Sequence, residues 1–320
     1  MADILHRTKT CLILAGAALL LLTGCAGRPL IEREIVRAVF FAQQEGKSHV
    51  VLLLQDQESE DSSDYKTAAG EGDTAAQALS DAAAGLDGVM FYGLTDLVAL
   101  PPDCNWEELR QFASVLYETA QPSPEITLFL LDNRTVERLQ ETAGDLYDAM
   151  QAVEKKYRIS CGLESVLSQS DQAALPCWQE EGYGFAVLKQ GQSALRYVEP
   201  MRAQLTAVLR GQSRQLEFTF EDGNASCRAG ATVLFGAERD GVEILLQLHD
   251  SDLSALTDAV PCQEEALEQL LAQQLETAFS QIYEDTQKIG ADPFRLTFWQ
   301  NCLLGSWEAD FPVNFRVEYT

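Results

Sequence analysis

Leu216-Glu217-Phe218-Thr219-Phe220-Glu221-Asp222-Gly223 and Asp240-Gly241-Val242-Glu243-Ile244-Leu245-Leu246-Gln247-Leu248 decide the fold class. In the first stretch Leu216, Phe218 and Phe220 alternate with polar residues, and in the second Val242, Ile244, Leu246 and Leu248 dominate one parity. A period of two puts every second side chain on one face, as in a half-buried strand. Asp222-Gly223 and Asp240-Gly241 supply turns around the apolar run 231–235, so this region predicts antiparallel hairpins. Pro261 then opens a predicted helix in which Leu267, Leu271, Leu275, Ala278, Ile282 and Ile289 share one stripe, closed by Gly290. At 1.5 Å per residue such a helix spans roughly 40 Å, enough to cross a sheet. Phe311, Val313, Phe315, Val317 and Tyr319 return to period two and predict a final strand, with Pro312 near its start.

Upstream, the pattern is one of short alternating units. An amphipathic stretch runs to Phe41, and the nearly unbroken apolar run 50–54 predicts a strand buried on both faces. The acidic, Ser- and Gly-rich segment 56–72 reads as a long loop. Residues 74–84 suit a helix, 89–92 a strand, and 97–100 form an apolar element ended by Pro101-Pro102. Asn105 with Glu108 three residues on predicts a capped helix whose face is Trp106, Leu109, Phe112, Ala113 and Leu116. A strand at 126–131 and a helix at 135–157 follow, then a loop region holding Pro176, a strand at 183–189, and a helix stopped by Gly211 that carries Met201, Leu205, Val208 and Leu209. The expected fold is α+β and multi-domain. Mixed and antiparallel sheets pack with helices, and the C-terminal domain combines hairpin strands, one long helix and a final strand. The boundaries expected are 1–24 for a signal peptide, 25–211 for an α+β region of one or two subdomains with a break near 120–180, and 212–320 for the C-terminal domain.

Residues 1–24 read as an address. His6, Arg7 and Lys9 precede an apolar run, 11–22, that is shorter than the ~20 residues of a membrane span. The run ends in Leu22-Thr23-Gly24-Cys25, a lipobox, which predicts cleavage between Gly24 and Cys25 and lipidation of the Cys25 thiol with acyl chains such as palmitate. Each buried CH₂ adds about 0.8 kcal/mol, so two or three chains anchor firmly. The chain carries 49 acidic against 23 basic residues, a net charge of −26. Such a surface excludes nucleic acid as a natural partner and gains nothing from anionic headgroups, so membrane attachment is expected through the lipid.

Cys104, Cys161, Cys177, Cys227, Cys262 and Cys302 remain after Cys11 and Cys25 are set aside; their wide, irregular spacing leaves disulfides and buried thiols both open. His49 and His249 are the histidines that survive cleavage, and no Ser sits in a nucleophile motif, so no catalytic residue is expected. No Cys or His pair has zinc-site spacing, and the acidic run Asp56, Glu58, Glu60, Asp61, Asp64 lacks the Gly and closing Glu of a calcium loop; no metal and no cofactor are expected. Trp178, Trp299 and Trp307 fit satellite core residues more often than ligand boxes, and the sequence leaves both readings open.

The order of elements, with particular residues, resembles the Ger(x)C family of spore germination lipoproteins, the C subunits of GerA-type germinant receptors. The strings that carry the resemblance are the lipobox Cys25, Glu32-Arg33-Glu34-Ile35-Val36, Gly72-Asp73-Thr74-Ala75-Ala76-Gln77-Ala78, Gly88-Val89-Met90-Phe91-Tyr92-Gly93-Leu94, Glu125-Ile126-Thr127-Leu128-Phe129-Leu130, Leu175-Pro176, Phe185-Ala186-Val187-Leu188-Lys189-Gln190-Gly191 and Gln287-Lys288-Ile289-Gly290-Ala291-Asp292. Ala26-Gly27 replaces the Trp-Asp common after the lipid Cys, and Pro293-Phe294-Arg295 interrupts a stretch usually rich in Phe and Gly. The resemblance implies a non-catalytic, lipid-anchored subunit on the outer face of the spore inner membrane, with membrane-embedded receptor subunits as partners. It leaves direct binding of a small molecule open. The alternative is a solute-binding lipoprotein of an uptake transporter, which needs two lobes of parallel strands around a cleft and is disfavoured by the hairpins. An envelope hydrolase stands third for want of a catalytic set.

Overall fold

Alternation in the last hundred residues does become hairpins, and the apolar runs before them become a second, larger sheet. The computed structural model describes residues 33–56, 65–131, 136–167, 171–179, 182–220, 223, 225–238, 241–256, 264–305 and 311–320. The first part of the chain runs β1 (Arg33–Gln44), β2 (Lys47–Gln55), β3 (Tyr65–Gly72), α1 (Ala75–Ala84), β4 (Val89–Phe91), β5 (Leu97–Leu100), α2 (Trp106–Val115), β6 (Thr127–Leu130), α3 (Val136–Tyr157) and α4 (Leu163–Leu167). Next come β7 (Gln172–Gln179), β8 (Gly182–Lys189), β9 (Leu195–Tyr197) and α5 (Pro200–Leu209). The last part is β10 (Gln215–Thr219), β11 (Ala225–Glu238), β12 (Gly241–Ala255), α6 (Glu264–Lys288), α7 (Leu296–Leu304) and β13 (Val313–Tyr319).

The nine-stranded sheet has the order β3-β2-β1-β5-β6-β7-β8-β9, with β4 also paired to β1. It is mixed: β1-β5, β5-β6 and β6-β7 are parallel, while β1-β2, β2-β3, β7-β8 and β8-β9 are antiparallel. The run at 50–54 is buried on both faces as expected, because the sheet carries helices. The four-stranded sheet has the order β10-β11-β12-β13, antiparallel hairpins followed by a parallel β12-β13 pair across the α6–α7 crossover. The fold is α+β, with mixed and antiparallel sheets, hairpin strands, a long helix and a final strand.

Local signals explain the helix starts. Asn105 Oδ1 accepts from the Glu108 N–H at 3.0 Å and Glu108 Oε2 accepts from the Asn105 N–H at 3.0 Å, a complete capping box. On α6 the stripe Leu267, Leu271, Leu275, Ala278 and Ile282 is buried, Ile289 is half-buried, and Gly290 follows the helix at φ +65°. Pro261 and the turn residues Asp222 and Asp240 lie outside the described residues, as does Cys262.

Two expected loops are strands. Tyr65–Gly72 is β3, paired with β2 from Ser48↔Gly72 to Gln55↔Tyr65. It lacks large apolar residues because α1 lies directly on it: a Cβ at Gly70 would meet Ala82 N at 2.2 Å and Ala78 O at 2.3 Å. Small residues are what this close approach requires, and they read as loop composition. Pro176 lies inside β7, opposite Phe185. On the other side β7 shares one register pair with β6, Leu130↔Cys177, so few ladder bonds there depend on a proline N–H.

α5 joins the two sheets. Met201, Ala203, Gln204, Leu205, Thr206, Ala207, Val208 and Leu209 are all buried, so nearly the whole circumference is covered. The Gln204 carboxamide imitates a peptide group against β10, its Nε2 donating to Glu217 O at 2.7 Å and its Oε1 accepting from Glu217 N at 2.6 Å.

Candidate functional site

Cys25 and Gly24, the expected lipidation and cleavage residues, lie outside the described residues. The acidic run after Asp56 and Trp307 lie outside them too. His49 is half-buried on β2 and His249 half-buried on β12, in different sheets, so nothing joins them into a catalytic pair. The His249 ring covers Gly230, where an added Cβ would meet its Nε2 at 2.5 Å. Cys104, Cys161, Cys177, Cys227 and Cys302 are unpaired. Burial pushes the Cys161, Cys177 and Cys227 thiols up to about 12, the direction opposite to that of an activated nucleophile. Among the described residues no group of three or more His, Cys, Asp and Glu side chains could hold a metal ion.

One polar cluster is built around a strand irregularity that sequence reasoning missed. The β1-β2 register shifts between Val36 and Ala38, and this bulge turns Arg37 toward α3. Arg37 pairs with Asp96, and its Nη2 donates to the Tyr147 hydroxyl at 3.0 Å. Tyr147 donates to Asp96 Oδ2 at 2.6 Å, and Gln151 Nε2 donates to the Tyr147 hydroxyl at 2.7 Å. Burial pulls the guanidinium of Arg37 down, but its bonds to Tyr147 and the charge of Asp96 outweigh this and leave it above its ordinary value. Burial, then the bond to Asp96, holds the Tyr147 phenol up, so it stays protonated. The group locks β1, the lead into β5 and α3 together; the phenol is moved away from the range useful to an acid or base at neutral pH. Beside it Glu154 accepts from Thr127 Oγ1 at 3.0 Å, and burial raises its carboxyl above the usual range despite that bond.

Two cavities lie where the four-stranded sheet meets the rest of the fold. One, about 560 Å³, is lined by Lys156, Tyr183, Glu217, Arg228 and Asp252 among others, and its charges are of both signs. The other, about 630 Å³, lies between the end of α5, the middle of β11 and the start of α7, where Arg210, Arg214 and Arg295 meet Phe235 and Trp299. Trp299 stacks on Phe235 with ring centroids 4.7 Å apart and planes 9° apart. Trp299, for which the sequence leaves satellite core and ligand box both open, is half-buried and packs against the core at this rim, whereas Trp178 is buried. Arg210 and Arg214 are four residues apart and Arg295 is distant in sequence, and no local motif marks the three.

No family model matches the chain, and no curated protein matches it. Five chains of solved structures match. The structure is similar to the crystal structure of the GerBC protein. The TM-score is 0.43 at 12% sequence identity, and the match covers 88% of this chain and 96% of that chain.

Proposed function

We propose that this chain is a lipid-anchored, non-catalytic subunit of a spore germinant receptor that acts with membrane-embedded partner subunits in nutrient-triggered germination. The observation that carries the reading is the ordered run of sequence strings resembling the Ger(x)C family, from the lipobox Cys25 to Gln287-Lys288-Ile289-Gly290-Ala291-Asp292. The anchor is the acylated Cys25 exposed by cleavage after Gly24, on the outer face of the spore inner membrane. Among the described residues no helix is long and apolar enough to cross a membrane, so the reading assigns attachment to the lipid. A tether raises the effective concentration of the folded part for membrane partners without requiring a tight interface. The electrostatic balance supports the same division of labour, since a net charge of −26 is repelled by anionic lipid.

Cys25→Ala tests the anchor: the variant is expected to move from the membrane to the soluble fraction while keeping its melting temperature. Retention at the membrane would overturn the anchor. Deleting the gene, alone and with those of related receptors, is expected to slow germination on at least one nutrient, and normal germination in every combination would overturn the receptor role.

A further inference from the structure

The cavity of about 630 Å³ between α5, β11 and α7 has a charge opposite to that of the molecule around it. In a chain with roughly two carboxylates for every cation, its lining contains, among the described residues, Arg210, Arg214 and Arg295 and no Asp or Glu. Asp292, a carboxylate whose charge acts on Arg210, is already engaged: it accepts from Leu296 N at 2.7 Å and from Thr297 N at 2.9 Å, closing the first turn of α7. Arg214 and Arg295 are exposed and make no side-chain hydrogen bond or ion pair among the described residues. Arg210 donates from Nη1 to Pro293 O, but its Nε is sealed from solvent without a partner. Gln212, 5% exposed, spends its Nε2 on Ala174 O at 3.1 Å and leaves its Oε1 without one. A buried donor and a buried acceptor are thus left open beside one arginine-lined space.

The loops that carry these groups are fixed in place. Ser160 N donates to Gln212 O at 2.7 Å and Ala231 N to Arg214 O at 3.0 Å, which pins 210–214 to both sides of the crease. The Gln172 carboxamide grips Asp292, donating to its carbonyl at 2.7 Å and accepting from its N–H at 2.9 Å. Arg295 itself is held at φ +56°, a left-handed conformation that a residue with a Cβ adopts at a cost. Its side chain is therefore presented by a backbone that its neighbours constrain. The stacked Phe235–Trp299 pair adds a flat apolar wall, and the volume lies within the range of small-molecule sites.

We infer that this crease binds a small molecule that carries an oxyanion on a planar apolar body, the oxyanion held by Arg210, Arg214 and Arg295 and the ring set against Phe235 and Trp299. Guanidinium forks match carboxylate and phosphate oxygens in two-point bonds and stack on flat rings, which is why this set selects that chemistry over a cation or a sugar. Burial draws the Arg210 guanidinium down to about 10, yet it remains a cation at neutral pH and its environment favours an incoming anion.

The test is calorimetric titration of the purified full-length chain with indole-3-acetate and with phenyl phosphate, against indole and inorganic phosphate as the halves of each probe. At least one planar anion is expected to saturate a single site about tenfold or more tighter than either half, with affinity falling as salt is raised. Tighter binding of indole-3-acetate assigns a carboxylate, and tighter binding of phenyl phosphate a phosphate. The double variant Arg214→Ala/Arg295→Ala is expected to lose about tenfold or more in affinity at an unchanged melting temperature, because both side chains are exposed. Arg214→Lys, which keeps the charge but not the fork, is expected to recover only part of the loss at that position. The inference fails if neither planar anion saturates, if inorganic phosphate binds as tightly as phenyl phosphate and indole-3-acetate does not saturate, or if the double variant binds like the parent.

Discussion

At Gly70 a single added carbon would land on the backbone of α1, with Ala82 N and Ala78 O too close to accept it and unable to swing aside. Gly70→Ala is therefore expected to cost about 1–3 kcal/mol through overpacking, read as a lower urea midpoint. Gly85→Ala is the matched control, since nothing lies within 4 Å of its Cβ and its φ of −80° suits alanine. That substitution is expected to be neutral or to stabilise by up to roughly 1 kcal/mol through the unfolded chain. Glu154 carries a pH signature. Burial raises its folded carboxyl above the unfolded value, so between the two the native state binds more protons and stability falls as pH rises through that window. Glu154→Gln is expected to flatten this part of the stability–pH curve and to raise the melting temperature at neutral pH relative to the parent. A curve of unchanged slope would assign the dependence to other groups.

β13 is the element whose removal should matter most. It pairs in parallel with β12 from Val242↔Val313 to Leu248↔Tyr319, Phe315 stacks on Phe279 of α6 at 4.5 Å, and the Tyr319 hydroxyl donates to Glu268 O at 2.6 Å. Truncation after Asp310 removes a strand and uncovers part of α6, and several kcal/mol of apolar burial go with it. The expected outcome is a melting transition lowered by many degrees or lost; an unchanged transition would make the strand peripheral. This element was legible because Phe311 to Tyr319 alternate without interruption, and α6 because its leucines recur at helical spacing. β3 was not, since its residues were chosen by the closeness of α1 and carry no apolar period. The parallel partnership of β1 with β5, the bulge at Arg37 and the meeting of Arg210, Arg214 and Arg295 were equally hidden. Partner choice is a non-local property, and these residues are joined only when distant segments pack.

For the whole molecule, the seam proposed between 25–211 and 212–320 runs beside α5, which is buried against β8, β10 and α6 at once. Gln204 and Gln172 reach across it as substitute peptide groups, to Glu217 and Asp292. A fragment 212–320 would expose the apolar surface that α5 covers. We expect it to lack the fixed side-chain packing of the parent, seen as loss of the near-ultraviolet circular dichroism of its aromatic residues, and expect the full chain to unfold in one calorimetric transition. Two separate transitions, or a fragment with a parent-like spectrum, would show that each side folds unaided.

The position of β1 gives the proposed tether a mechanical meaning. The first described strand is an interior one, bonded to β2 on one side and β5 on the other. The chain between Cys25 and Arg33 reaches at most roughly 30 Å when fully extended, so a pull on the lipid would arrive at the start of β1 with little slack. Force applied along an interior strand loads two ladders in shear, many hydrogen bonds together, whereas the same force along an edge strand loads only one. On the proposed function, a membrane partner that shifts beneath the chain would therefore drag the sheet before it could unravel β1.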